Sequence, residues 1–131
     1  MEPERPHLSV VCVAYERTNC PQVIVGAFLN QRDTSWAMAV VHDGPASEAW
    51  WDAARRSIPA GEKRVKFSAT ETRAHDWGHA LRAAALAGPP LKGQYVLITN
   101  DDNWYAPFFL DEMYGAAKAS EFPTLVYCDM L

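Results

Sequence analysis

Asp101 and Asp102 stand side by side after the apolar run Tyr95-Val96-Leu97-Ile98-Thr99, with Asn100 and Asn103 on their flanks. Adjacent carboxylates repel one another, so at neutral pH the pair favours a site that supplies positive charge. Hard divalent cations such as Mg²⁺ and Mn²⁺ take carboxylate oxygens, typically one or two, and fill their other positions with water and substrate phosphates. The two asparagines can orient those oxygens or hold water. The same residues also read as a cap, with Asp101-Asp102-Asn103 serving only the helix expected from about Phe108 to Ala119.

A second spacing with chemical content is His75-Asp76-Trp77-Gly78-His79. Histidines four residues apart on a helix share a face, the ligand geometry of zinc hydrolases built on His-Glu-any-any-His. Here Asp76 replaces the glutamate base, Gly78 weakens the helix, and no third ligand follows at a recognisable spacing. A zinc hydrolase using His75 and His79 is therefore a remote alternative to two histidines that pack or face solvent.

The elements that must position these groups follow from hydrophobic patterning. Leu8 to Ala14 is a continuous, β-branched apolar run, as expected of a strand buried on both faces. Pro21 suits a first helical position, and Val23, Ile24, Ala27 and Phe28 recur at helical spacing toward Leu29. Trp36 to Val41 forms a second strand, stopped by His42-Asp43-Gly44-Pro45, and a helix from about Ser47 to Arg56 takes Ser47 as its cap. Arg64 to Ser68 reads as a third strand. Arg73 to Ala87 reads as a helix ended by Gly88-Pro89-Pro90, Tyr95 to Thr99 as a fourth strand, and Thr124 to Cys128 as a last one. Strands alternating with helices predict an α/β fold with a largely parallel sheet, and ligands of such sheets gather at polar turns after the strands. Nothing is expected to cover the sheet after the last strand.

Composition bounds the rest. The chain has 131 residues, which fits a single domain over 1–131, with 49% hydrophobic and 21% charged residues. A net charge of -4 argues against duplex nucleic acid as a partner. No apolar run is long enough to span a bilayer, and the polar start Met1-Glu2-Pro3-Glu4-Arg5-Pro6 does not read as a signal peptide. Cys12, Cys20 and Cys128 have no metal-binding spacing and read as reduced thiols of a cytoplasmic protein. The oligomeric state stays open, a homo-oligomer included.

The stretch Ile98-Thr99-Asn100-Asp101-Asp102-Asn103-Trp104-Tyr105-Ala106-Pro107 resembles the metal-binding segment of family 2 glycosyltransferases of the GT-A fold: an apolar strand, an Asp-any-Asp motif, an aromatic and a proline. The likeness runs over nearly the whole chain. Val10 to Arg17 looks like the family's opening strand and its Thr-Tyr-Asn-Arg turn. Leu29-Asn30-Gln31, Trp36 and Val40-Val41-His42-Asp43-Gly44 are similar to the helix end and the Asp-Asp-Gly-Ser turn, and Gly93-Gln94-Tyr95 to the Gly-Glu-Tyr that opens the metal-site strand. Asn100 replaces the first Asp of Asp-any-Asp, His42 stands where Asp is usual, and the family's Ala-Arg-Asn motif is not clearly present near Gly78 and His79.

The resemblance implies a GT-A, Rossmann-like sandwich that is short at its C-terminus, and the nucleotide-sugar-binding part of a glycosyltransferase. A hydroxyl acceptor, of a sugar or another molecule, would attack the anomeric carbon and expel a nucleoside diphosphate, whose charge a divalent cation stabilises. Asp102 would hold that Mn²⁺ or Mg²⁺, with Asp101 near the ribose. Ala14, Tyr15 and Arg17 would line the nucleoside pocket, Tyr15 packing on the base or ribose. His42 or Asp43 would accept the imino N–H of uracil, which favours a UDP-sugar and leaves a GDP-sugar open, and Arg73 would face the diphosphate. Inverting transfer needs an acceptor-activating base, for which Asp129 is the nearby carboxylate. Two further readings compete. One is a non-catalytic nucleotide-sugar-binding module lacking the acceptor half. The other is a nucleotidyltransferase, disfavoured because Tyr15-Glu16-Arg17-Thr18-Asn19 contains no glycine. Trp50, Trp51, Phe108 and Phe109 read as packing residues, and Trp104 stands apart because it follows the acidic turn.

Overall fold

A computed structural model describes residues 5–87 and 92–128. Strand β1 (Leu8–Ala14) leads into α1 (Cys20–Leu29), followed by β2 (Trp36–His42), α2 (Glu48–Ser57), β3 (Val65–Ala69), α3 (His79–Ala87), β4 (Tyr95–Asn100) and α4 (Phe109–Ala119). The four strands form one parallel sheet in the order β3-β2-β1-β4. All seven residues of β1 are buried, as its unbroken apolar run predicts for a central strand.

Alternation on β1 divides the protein into two layers. Leu8, Val10, Cys12 and Ala14 join Trp36, Met38 and Val40 of β2, Ile24 and Phe28 of α1, Trp50 of α2 and Leu110 of α4 in the main core. Val11 and Val13 are buried on the opposite face, which α3 covers. This division follows from right-handed crossovers: the chain steps from β1 to β3 in one direction and then returns past β1 to β4, so α3 must cross on the other side. The reversal point lies between β1 and β4. In register, Ala14 of β1 pairs with His42, and Val13 with Asn100, so three strands end at one level.

Local chemistry accounts for the helix starts. Ser47 caps α2, its Oγ accepting from Trp50 N at 3.2 Å. Pro21 occupies the first turn of α1, where a missing N–H costs nothing. The cysteines are free thiols, Cys12 and Cys20 buried and Cys128 exposed. No helix is long and apolar enough to cross a membrane among the described residues.

Three expectations are corrected. The third helix begins at His79 rather than Arg73, because His75 (φ 54°), Trp77 (φ 61°) and Gly78 (φ 82°) adopt left-handed backbone angles that no α-helix accommodates. Asp76 instead hooks the helix start, its Oδ2 accepting from Ala80 N at 2.9 Å. His75 and His79 therefore share no helical face, and no group of three or more metal-ligating His, Cys, Asp or Glu side chains forms among the described residues; the zinc-hydrolase geometry is absent there. Thr124 to Cys128 is not a strand. A groove of about 560 Å³, lined by Tyr95 and Leu97 on one side and Pro123 and Val126 on the other, separates this segment from the edge strand β4, so it has no ladder to join. The Gly88-Pro89-Pro90 stop and Asp129 lie outside the described residues.

The side chain of Gln31, buried at the end of α1, ties the β4–α4 connection to the core. Its Nε2 donates to Ala27 O (3.1 Å) and Ala106 O (2.7 Å), and its Oε1 accepts from Leu110 N (3.0 Å). Truncation strands buried backbone groups, each worth about 1–3 kcal/mol when left unpaired. Gln31→Ala is expected to lower unfolding free energy by roughly 2–3 kcal/mol in urea titration; a loss below about 0.5 kcal/mol would show that Gln31 carries no such role.

Candidate nucleotide and metal site

A cleft of about 560 Å³ opens where β1, β2 and β4 end, lined by Ala14, Tyr15, Arg17, Asp43, Arg73 and Asp101 and also by His75, Trp77, Gly78, His79 and Arg82. It sits at the reversal point of the sheet, where parallel α/β folds place ligands. Six of the sequence-assigned residues thus converge. Asp102 stands beside it, and His42 lies behind it.

The acidic turn is held from several directions. Asn103 N donates to Asn100 O at 3.3 Å, Asn103 Nδ2 donates to Thr99 Oγ1 at 3.0 Å, and that hydroxyl also pairs with Tyr105 Oη at 2.7 Å. The turn caps nothing. Helix α4 starts at Phe109, with Phe108 in the cap position and no side-chain cap bond, which removes the capping explanation for the two carboxylates.

Their environments differ sharply. Asp102 is half-exposed and accepts from Arg17 Nη1 at 2.7 Å. Asp101 is 3% exposed; its Oδ1 lies 3.9 Å from the same Arg17 nitrogen, and its Oδ2 is buried with no hydrogen-bond partner among the described residues. Burial pushes the Asp101 carboxyl up to about 6, Arg17 opposing this and Asp102 adding to it. An orphaned, desolvated carboxylate oxygen fits a hard divalent cation. Asp101 and Asp102 are the residues able to hold one, and a site with so few protein ligands suits a metal that keeps water and phosphate oxygens.

Asp43 and Arg73 form the opposite wall. Asp43 is 5% exposed, its Oδ1 accepting from Ala74 N at 2.9 Å, while Oδ2 lies 3.8 Å from Arg73 Nε, beyond hydrogen-bond distance. Gly44, at φ 88°, allows this approach: a Cβ there would stand 2.9 Å from Arg73 Cβ. The Arg73 guanidinium lies 3.6 Å over the Tyr15 ring, covering the face that the sequence assigned to a base or ribose.

His42 does not reach the cleft wall. It is fully buried, its Nδ1 donating to Gly44 O at 2.7 Å and its Nε2 accepting from Glu16 N at 3.0 Å. The neutral tautomer satisfies both, leaving no nitrogen for uracil. Its place is structural: it links the turns after β1 and β2, helped by Glu16, whose oxygens accept from Ser47 N (3.0 Å) and Ser47 Oγ (2.8 Å). Those Ser47 bonds hold the Glu16 carboxyl below its usual range.

Two cleft residues escaped the sequence reading. Arg82 donates from Nη1 to Trp77 O at 2.7 Å and from Nη2 to Asn100 Oδ1. Trp77 lies on the rim with 90% of its surface exposed. The signal for Arg82 was its position one turn beyond Gly78, where the family's basic motif was sought.

Asp101 also predicts a pH dependence. Its carboxyl ionises at about 6 in the folded protein and near 3.9 when unfolded, so the native state binds the extra proton. In the metal-free protein, stability therefore rises as pH falls from above 6 toward 4. Asp101→Asn should raise unfolding free energy at pH 7.5 by about 1–3 kcal/mol and flatten that rise. Parallel stability curves for variant and wild type across pH 4–8 in EDTA would contradict the assignment.

The sequence matches no known family profile and no curated protein. Its structure, in contrast, superposes on solved glycosyltransferases. TarS from S. aureus matches at TM-score 0.66 and 17% identity over 87% of this chain and 20% of TarS, and its 1–349 fragment at TM-score 0.69 and 20% identity over 87% of this chain and 32% of the fragment. The mannosyltransferase PcManGT from Pyrobaculum calidifontis, solved with GDP-Man and Mn²⁺, matches at TM-score 0.62 and 19% identity over 80% of this chain and 30% of that one. The chain spans a fifth to a third of the length of these proteins. Its α/β architecture, with four parallel strands in one sheet, is that of the GT-A fold.

Proposed function

We propose that this chain is the nucleotide-sugar-binding part of a metal-dependent glycosyltransferase, taking a UDP-sugar in preference to a GDP-sugar. The observation that carries the reading is the orphaned carboxylate of Asp101 in a cleft of GT-A topology. PcManGT, of the same fold, binds GDP-Man with Mn²⁺, which supports a cation at this place.

Electrostatics supports the same requirement. Three arginines border the cleft, and all are engaged: Arg17 with Asp102, Arg73 with the Tyr15 ring, and Arg82 with Asn100 and Trp77 O. A diphosphate entering beside Asp43, Asp101 and Asp102 needs positive charge that these guanidiniums do not spare. A divalent cation held by Asp101 and Asp102 supplies it and stabilises the charge that grows on the leaving diphosphate. Asp43 Oδ2, free of hydrogen bonds, accepts the imino N–H of uracil and gives the preference for UDP. Arg73, kept on the Tyr15 ring, faces the diphosphate from that side of the cleft, and Ala14 lies at the ribose. The acceptor hydroxyl belongs to a sugar or another molecule, and Asp129 stays the candidate for its general base.

Calorimetric titration tests this. UDP is expected to bind with Mn²⁺ at least tenfold more tightly than without it, and Asp101→Ala and Asp102→Ala to lose that gain. Asp43→Ala should erase the preference for UDP over GDP. Equal binding by wild type and both acidic-turn variants would remove the centre of the assignment. Binding of UDP-sugars without release of UDP, in the presence of simple sugar acceptors, would favour a binding module without transfer.

A further inference from the structure

Trp77 is the most exposed large apolar side chain among the described residues, at 90%, and it lies on the wall of the cleft. Exposing an indole forfeits the burial that otherwise makes tryptophan stabilising. The backbone that presents it is unfavourable as well, since φ 61° lies in the left-handed region that bulky residues avoid.

The surroundings nevertheless fix this position firmly. Gly78 follows at φ 82°, pressed so closely on β1 that a Cβ there would come within 2.6 Å of Val13 Cγ1. Arg82 Nη1 donates to the Trp77 carbonyl at 2.7 Å, and the same guanidinium reaches Asn100 beside the acidic turn. Asp76, on the other side, anchors the start of α3 through Ala80 N. The main chain is thus tethered to β1, β4 and α3, while the ring makes no stacking or cation–π contact with any described residue.

Tyr15 is the competing aromatic in the cleft. The Arg73 guanidinium lies 3.6 Å over its ring, and His42 tilts against it at 5.4 Å between centroids. Its faces are occupied, and those of Trp77 are not.

We infer that Trp77 is the stacking platform for the nucleobase, an assignment that rests on the nucleotide-sugar reading and gives the cleft an affinity residue outside the acidic turn. An indole face accepts any base by π-stacking, so Trp77 supplies affinity without selecting the base, and selection is left to Asp43. Because Arg82 joins the Trp77 carbonyl to Asn100, the platform is held in register with the metal-binding turn.

The test compares wild type, Trp77→Ala and Trp77→Phe by calorimetry with three probes, each with Mn²⁺: UDP, GDP and inorganic pyrophosphate. Trp77→Ala is expected to weaken UDP and GDP by about tenfold or more while leaving pyrophosphate unchanged, and Trp77→Phe to keep most of the affinity. Unchanged UDP and GDP affinity in Trp77→Ala overturns the platform and leaves the nucleotide-sugar reading standing. Equal weakening of all three probes also overturns it, because the loop would then act only through the shape of the site. A wild type that binds none of the probes overturns both.

Discussion

A carboxylate with one oxygen buried and unpartnered is costly in a folded protein, and Asp101 is held in that condition by everything around it. Its nearest compensating charge, Arg17, is 3.9 Å away and already bonded to Asp102. Desolvation consequently dominates and pushes the carboxyl up to about 6, above an ordinary aspartate. A side chain so placed would relax toward solvent if the turn allowed it. Gln31, Thr99, Tyr105 and Asn103 oppose that by fixing the turn through hydrogen bonds. The rigidity of the β4–α4 connection and the electrostatic tension at Asp101 are two sides of one arrangement. The ion of the proposed function would relieve that tension by supplying the missing positive charge.

Backbone strain follows the same geography. Of the five non-glycine residues with positive φ among the described residues, three (Glu16, His75 and Trp77) belong to the turn after β1 or to the loop before α3. These segments flank the cleft, and sparsely populated backbone conformations persist where surrounding contacts over-determine them. Glu16 shows how: its main-chain N–H bonds His42 and its carboxylate grips Ser47, so one strained residue fastens β1 to both β2 and α2. His42, read from sequence as a base-recognition group, has become part of this fastening. Asp43, one residue on, retains the free oxygen.

Much of this was legible in the chain. The unbroken apolar run of β1 announced a central strand, Ser47 and Pro21 marked helix starts, and the acidic pair marked the turn at the end of β4 that borders the cleft. What stayed hidden depended on contacts distant in sequence. Helical periodicity from Arg73 onward was real in pattern, yet Gly78 packs on Val13 and the preceding residues turn left-handed, which pattern alone does not encode. Thr124 to Cys128 has strand composition, but a strand exists only where its amides and carbonyls pair with a neighbour's, and this segment pairs with none of the described strands. Trp77 was hidden for the opposite reason. Tryptophan defaults to packing, and only its exposure beside a cleft separates it from Trp50, which is wholly buried.

Charge balance connects these parts. Asp43, Asp101 and Asp102 face Arg17, Arg73 and Arg82, so the site is near neutrality before any ligand enters. A bare diphosphate would have to break an arginine's existing contacts and then sit among carboxylates. A diphosphate arriving with a divalent ion adds far less net charge and lets Arg17 keep Asp102. In the proposed function such a site would discriminate by the sum of ligand charges rather than by any single contact, and its carboxylates would disfavour free phosphates that arrive without the metal. The low-dielectric setting of Asp101 sharpens this discrimination, because charge imbalance costs most where solvent is excluded.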